Sequence, residues 1–241
     1  MQRCLGILVA VAGCGFQAGA GDTDAGGTDI PDGRVTGTDA AVDGRPDAAI
    51  DAAIDAPPDA PPMPVTNDHP SVADTFLASD APNSNFNDQT SALVDGDVRR
   101  TVVMRFDLSS VPADATIQSA ALHIWTDFDE GQTCTLYPLL EAWSETAATW
   151  NRRMPGVAWS NAGAGAPGSR SMTAIGTVTP LQPNTGYVIP LDVATVAGWV
   201  ANPASNHGIA FVTTNANGTR FSTREHPNPQ VRPFLRVTYV P

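Results

Sequence analysis

Arg105, His123, Trp125 and Arg224 are the side chains of this 241-residue sequence best suited to grip a polar ring. An indole standing on a surface stacks on flat ligands, and a guanidinium makes paired hydrogen bonds to a carboxylate. The first three sit on runs of alternating character. Val102, Met104, Phe106 and Leu108 alternate with Thr101, Val103, Arg105 and Asp107; Ala120, Leu122 and Ile124 then alternate with His123 and Trp125. A period of two sends successive side chains to opposite faces of a strand. If the small and aliphatic set is buried, Arg105, His123 and Trp125 face outward, and Arg224 or Arg236 can extend their surface. The alternative is structural: a loop covers Trp125, and Asp107 or another acid pairs with Arg105.

Hard oxygen donors group at Asp127, Asp129 and Glu130, and again at Asp80, Asn83, Asn85, Asn87 and Asp88. Calcium takes such ligands, so a structural calcium ion at Asp127, Asp129 and Glu130 is one expectation and solvated Asx turns are the other. Trp143, Glu145, Thr149 and Trp150 read either as a second aromatic platform with an acid or, the favoured reading, as a packed loop with the two indoles as anchors and Glu145 accepting local hydrogen bonds. Catalytic patterns are missing. The chain has no G-x-S-x-G and no H-E-x-x-H, and His69, His123, His207 and His226 lack metal-ligand spacing. A glycan-cleaving site would need convergent acids, from Asp127, Glu130, Glu141 or Glu145, or an Arg-His-Tyr set, and sequence alone shows neither. The expectation is therefore no enzyme activity.

The elements that would position these residues lie in the last three-quarters of the chain. Formal net charge is −12, but residues 15–66 hold ten Asp against two Arg, a net −8, whereas residues 67–241 carry only −5. A mildly acidic body offers nucleic acid no broad basic surface. MQRCLGILVAVAGCGF reads as an export signal over residues 1–14, with Val11-Ala12-Gly13-Cys14 resembling a bacterial lipobox in which Cys14 is acylated. The alternative is ordinary cleavage after Ala18-Gly19-Ala20. Residues 15–66, rich in Asp, Ala and Pro, cannot bury enough apolar surface to offset ordering and are expected to form a disordered linker. Asp39, Asp43, Asp47, Asp51, Asp55 and Asp59 recur every fourth residue, a spacing that repels on a helix and favours an extended spacer. With Cys4 removed and Cys14 acylated, Cys134 has no disulfide partner.

From Asn67 onward short apolar runs are punctuated by Gly, Pro and Asn, the signature of an all-β sandwich. Strands are predicted over 72–78, 91–94, 98–108, from Ile117, 133–141, 175–178, 186–191, 207–214, 219–224 and 233–240. Asp95-Gly96 and Asn217-Gly218 are predicted to close two-residue hairpins. Asp192 caps a predicted short helix whose stripe is Val193, Val196, Trp199 and Val200, ended by Asn202-Pro203.

Several segments together resemble the DNRLRE-domain family, which overlaps carbohydrate-binding module family 96. They include Ala73-Asp74-Thr75, Arg105-Phe106-Asp107-Leu108-Ser109, Trp143-Ser144-Glu145, Phe221-Ser222-Thr223-Arg224-Glu225 and Pro233-Phe234-Leu235-Arg236-Val237-Thr238-Tyr239, in that order. The resemblance spans nearly all of residues 67–241. It implies an extracellular antiparallel β-sandwich of jelly-roll type, with some members binding acidic polysaccharide. The expected molecule is thus a monomeric, lipid-anchored module on the outer membrane or cell surface of a bacterium. It would bind a polysaccharide, uronate-containing by expectation, through Arg105, His123, Trp125 and Arg224. An adhesive module that binds another protein is the rival.

Overall fold

A computed structural model describes residues 62–128 and 131–241 of the chain. Twelve strands and one α-helix follow in order: β1 (Val65–Ala78), β2 (Ser91–Val94), β3 (Arg100–Phe106), β4 (Thr116–Phe128), β5 (Cys134–Pro138), β6 (Arg152–Met154), β7 (Val157–Ala158), β8 (Gly176–Val178), β9 (Thr185–Pro190), α1 (Val193–Ala201), β10 (Ile209–Val212), β11 (Thr219–Ser222) and β12 (Phe234–Val240). All but the small β6–β7 hairpin join in the order β2-β11-β4-β12-β1-β3-β10-β5-β8, with β9 on the other edge of β4. Every pairing is antiparallel. This is the all-β sandwich with one short helix that the strand pattern predicts, of the jelly-roll-like type that the family resemblance implies.

β1 belongs to both layers. From Val65 to Pro70 it pairs with β12, and from Ser71 to Ala78 with β3, the register slipping between Ser71 and Ala73. A bulge bends and twists a strand, and Pro70, which has no N–H to donate, sits beside the changeover. The strand starts at Val65 rather than Val72 because its first half finds a partner in β12, far away in sequence. The first layer is thus the front half of β1 with β12, β4, β11, β2 and β9; the second is the rear half of β1 with β3, β10, β5 and β8.

The main core fills the space between the layers. Ala120, Leu122 and Ile124 of β4 meet Val102, Met104 and Phe106 of β3, with Phe221 of β11 tilted against Phe211 of β10 at 5.4 Å between ring centroids. Each Val, Leu, Ile, Met or Phe side chain taken fully from water contributes about 1.5–3 kcal/mol. A second core cluster lies on the outer side of the second layer. There Ala73, Leu77, Val103 and Ala210 are roofed by Leu139, Trp143, Ala148, Trp159 and Ala164, from the long connection over residues 139–171. That connection carries β6 and β7.

Neither predicted two-residue hairpin forms: both turns carry the chain from one layer to the other, the first closed by a single antiparallel bridge in which Asp95 and Arg100 exchange backbone hydrogen bonds at 2.9 and 3.2 Å. β2 pairs with β11 and β3 with β1 and β10, so Asp95-Gly96 begins a wider turn in which the Asp95 carboxylate accepts from the N–H groups of Asp97 and Val98 at 2.9 and 3.3 Å. Gly96 is required by close approach: a Cβ there would lie 2.4 Å from the Asn215 carbonyl oxygen. Likewise β10 lies in the second layer and β11 in the first, so Asn217-Gly218 carries the chain across the core. The helix forms where predicted. Asp192 accepts from the Thr195 N–H at 2.8 Å, and Val196, Trp199 and Val200 are its buried stripe.

Candidate functional site

The outer side of the first layer is a ruled surface in which register decides who stands beside whom. One row runs Pro70, Phe234, His123, Val188 across β1, β12, β4 and β9; the next runs Asp68, Arg236, Ala121, Pro190. Because Leu122 and Ile124 point into the core, His123 and Trp125 point away from it. The His123 imidazole stacks on the Phe234 ring at 4.3 Å with an 11° tilt. Trp125 stands opposite Gly186 of β9, where a Cβ would touch the indole at 3.4 Å. The bare backbone there lets the ring settle against β9. His123, Trp125, Val188, Gln230, Arg232 and Phe234 help line a cavity of about 270 Å³. Val188 is 58% exposed, an apolar floor left open to solvent.

The neighbouring charges belong to the same face. Arg236 meets Asp68 in a fork, Nε to Oδ1 at 2.7 Å and Nη2 to Oδ2 at 2.8 Å, holding Asp68 below the usual carboxylate range. Both groups are solvent-exposed, so this pair fixes geometry more than it stabilises. Arg232 donates Nε to the His226 carbonyl at 2.8 Å. Burial, and then the Arg236 charge, push His123 below its ordinary pKa, with Asp68 opposing. The folded state therefore binds fewer protons at this ring than the unfolded chain. Stability must fall as pH drops below about 6.5 toward the depressed folded value. Thermal melts at about pH 7.5 and 5.5 should show a smaller loss for His123→Gln than for the unaltered protein.

Arg105 stands elsewhere. Val102, Met104 and Phe106 occupy the main core, so Arg105 points to the outer side of the second layer, away from His123 and Trp125. Its guanidinium lies 5.7 Å from the Trp143 ring centroid, and it lines a separate cavity with Val72, Trp199 and Asn206. The expected trio is not one site; the alternation places each residue outward but does not say from which layer. The loop reading holds for Trp143, which is buried and donates Nε1 to the His207 carbonyl at 2.9 Å, but not fully for Trp150, which is only half-buried; the second buried indole of the loop is Trp159, which donates to the Thr149 carbonyl at 2.9 Å.

Arg224 is held within a group of acids. Its Nε donates to Glu145 at 2.7 Å and is ion-paired with Glu225 at 2.8 Å, its Nη2 donates to Glu145 at 3.1 Å, and its backbone N–H to Asp74 at 3.0 Å. Asp74, fully buried on β1 just past the bulge, is pushed up to about 7 by burial, against the Arg224 N–H and with the Glu225 charge adding to the rise. Sequence reasoning missed this group, whose acids are scattered along the chain; only the Arg224-Glu225 step marks it.

A further cleft, of about 370 Å³, opens where the 139–171 connection meets the second layer. Trp150 lines it with Arg99, Arg100 and Arg170. Arg99 sits 5.4 Å over the Trp150 ring and Arg170 4.3 Å over Tyr137, while Arg100 pairs with Asp80 at 2.8 Å. Gly163, at φ +68°, packs against the Trp150 indole, leaving no room for a Cβ there. Of the expected calcium ligands, Asp127 accepts from the Ser222 hydroxyl at 3.0 Å, while Asp129 and Glu130 lie outside the described residues, as does Cys14. Among the described residues no helix is long and apolar enough to cross a membrane.

No curated protein matches the chain. Residues 65–239 match the family model described as carbohydrate-binding module family 96. That span takes in every strand placing His123 and Trp125, and the chain belongs to carbohydrate-binding module family 96.

Proposed function

We propose that this protein binds an acidic polysaccharide without cleaving it, on the outer side of the first layer. The observation that carries the reading is the Trp125 indole, seated against Gly186 beside the stacked His123 and Phe234 rings. Rings held by packing lose little freedom on binding, and a sugar can lie on them with its hydroxyls turned to solvent. Arg232 and Arg236 supply cations at the margin of this surface, suited to the carboxylates of a uronate chain. In this account Cys14 carries a lipid that holds a monomer to the bacterial surface. Residues 15–66 lift the binding domain off the membrane.

A second reading places the acidic ligand in the Trp150 cleft, because three guanidiniums converge there and only Arg100 has an ion-pair partner among the described residues. Affinity electrophoresis of the purified chain separates the two. A soluble polyuronate is expected to retard it strongly, and less so as salt rises from about 0.05 to 0.5 M; a neutral glucan should retard it weakly. Trp150→Ala should leave that retardation unchanged. Loss of binding in Trp150→Ala would move the site to the cleft, and no retardation by any glucan or uronate polymer would reject polysaccharide binding on this domain.

A further inference from the structure

Asp74, Glu145 and Glu225 come from β1, from the 139–171 connection and from the segment after β11, yet one carboxylate oxygen of each lies within 4.8 Å of the others. That is the span of two calcium–oxygen bonds of about 2.4 Å. Nearly every oxygen in the group is accounted for. Glu145 Oε1 accepts from the Asp74 N–H at 2.9 Å and from Arg224 Nε at 2.7 Å; Glu145 Oε2 accepts from Arg224 Nη2 at 3.1 Å. Asp74 Oδ2 accepts from the Arg224 N–H at 3.0 Å, and Glu225 Oε1 is ion-paired with Arg224 Nε at 2.8 Å. Two remain. Asp74 Oδ1 and Glu225 Oε2 are buried with no hydrogen-bond partner, and Asp74 as a whole is fully buried.

A buried carboxylate oxygen with no donor costs folding free energy unless a proton or a cation meets it. The charges discriminate. Three carboxylates against the one Arg224 guanidinium leave two negative charges when all are ionised, the complement of a divalent ion. The donor set is all oxygen, with neither imidazole nor thiolate, which selects calcium over zinc or copper.

We propose that Asp74, Glu145 and Glu225 bind a calcium ion that ties β1, the 139–171 connection and the end of β11 together. Water completes the shell, as is usual for calcium bound by few protein ligands. The ion would sit where β1 leaves the first layer, far in sequence from the Asp127, Asp129 and Glu130 group.

The test is a thermal melt of the full chain at about pH 8, in calcium and in chelator, with Glu225→Gln alongside. Calcium at about a hundredfold excess over its Kd is expected to raise Tm by roughly 5–10 °C. In Glu225→Gln the new amide can donate to Asp74 Oδ1, so the variant should fold in chelator and show no calcium shift. Identical melts of the unaltered protein in calcium and chelator would overturn the proposal in favour of a proton shared between Asp74 and Glu225. A full calcium shift retained by Glu225→Gln would overturn it too, placing the ion at another group such as Asp127.

Discussion

Trp125→Ala is expected to weaken polysaccharide binding by about thirtyfold or more while leaving the melting curve nearly unchanged. The size is that of losing the ring on which the sugar would stack: truncating an aromatic anchor of a binding surface costs about 2 kcal/mol or more of binding. The fold should tolerate the change because Trp125 is only half-buried and faces away from the core that Leu122 and Ile124 fill. Isothermal titration with a soluble oligouronate checks both parts when paired with a melt. Arg105→Ala is the matched control. It removes an outward guanidinium from the opposite layer and should leave affinity as it was. Equal loss in the two variants would mean that the assignment of faces is wrong.

Trp143→Ala should do the reverse, destabilising the domain by about 3–5 kcal/mol with no change in affinity for the molecules that remain folded. Trp143 is 2% exposed, packs in the outer cluster with Leu77, Val103 and Leu139, and gives its Nε1 hydrogen to the His207 carbonyl. Truncation opens a cavity and leaves that buried carbonyl without its donor. Chemical denaturation reads the stability loss as a lower midpoint at unchanged slope. A loss under about 1 kcal/mol would show that the 139–171 connection is held by other contacts.

These paired outcomes reflect what a linear sequence can and cannot carry. The alternation along β4 is legible because one buried face imposes it, and the sandwich class and the helix after Asp192 follow from equally local signals. The outward direction of Arg105, His123 and Trp125 is legible for the same reason. Which layer each belongs to is not, since it depends on β3 pairing with β1 and β10 while β4 pairs with β12, β11 and β9. Asp95-Gly96 and Asn217-Gly218 mislead in the same way: their backbone freedom serves a crossing between layers as well as a hairpin. Arg224 reads as an outward cation until Asp74, Glu145 and Glu225 are brought around it by strand switching and a long connection. The Trp143 anchor is legible, because an indole in a polar loop packs when its N–H finds a carbonyl, whereas Trp159 rather than Trp150 supplies the second buried indole, a choice that spacing alone does not make.

The five tryptophans give the most direct measure of where a glycan sits. Each indole N–H has its own proton–nitrogen resonance, so titrating the labelled chain with an oligouronate samples both layers and all three described cavities in one spectrum. The Trp125 signal is expected to move progressively to saturation, with Trp143, Trp159 and Trp199 unmoved. A titration that shifts Trp150 and leaves Trp125 in place would contradict the account.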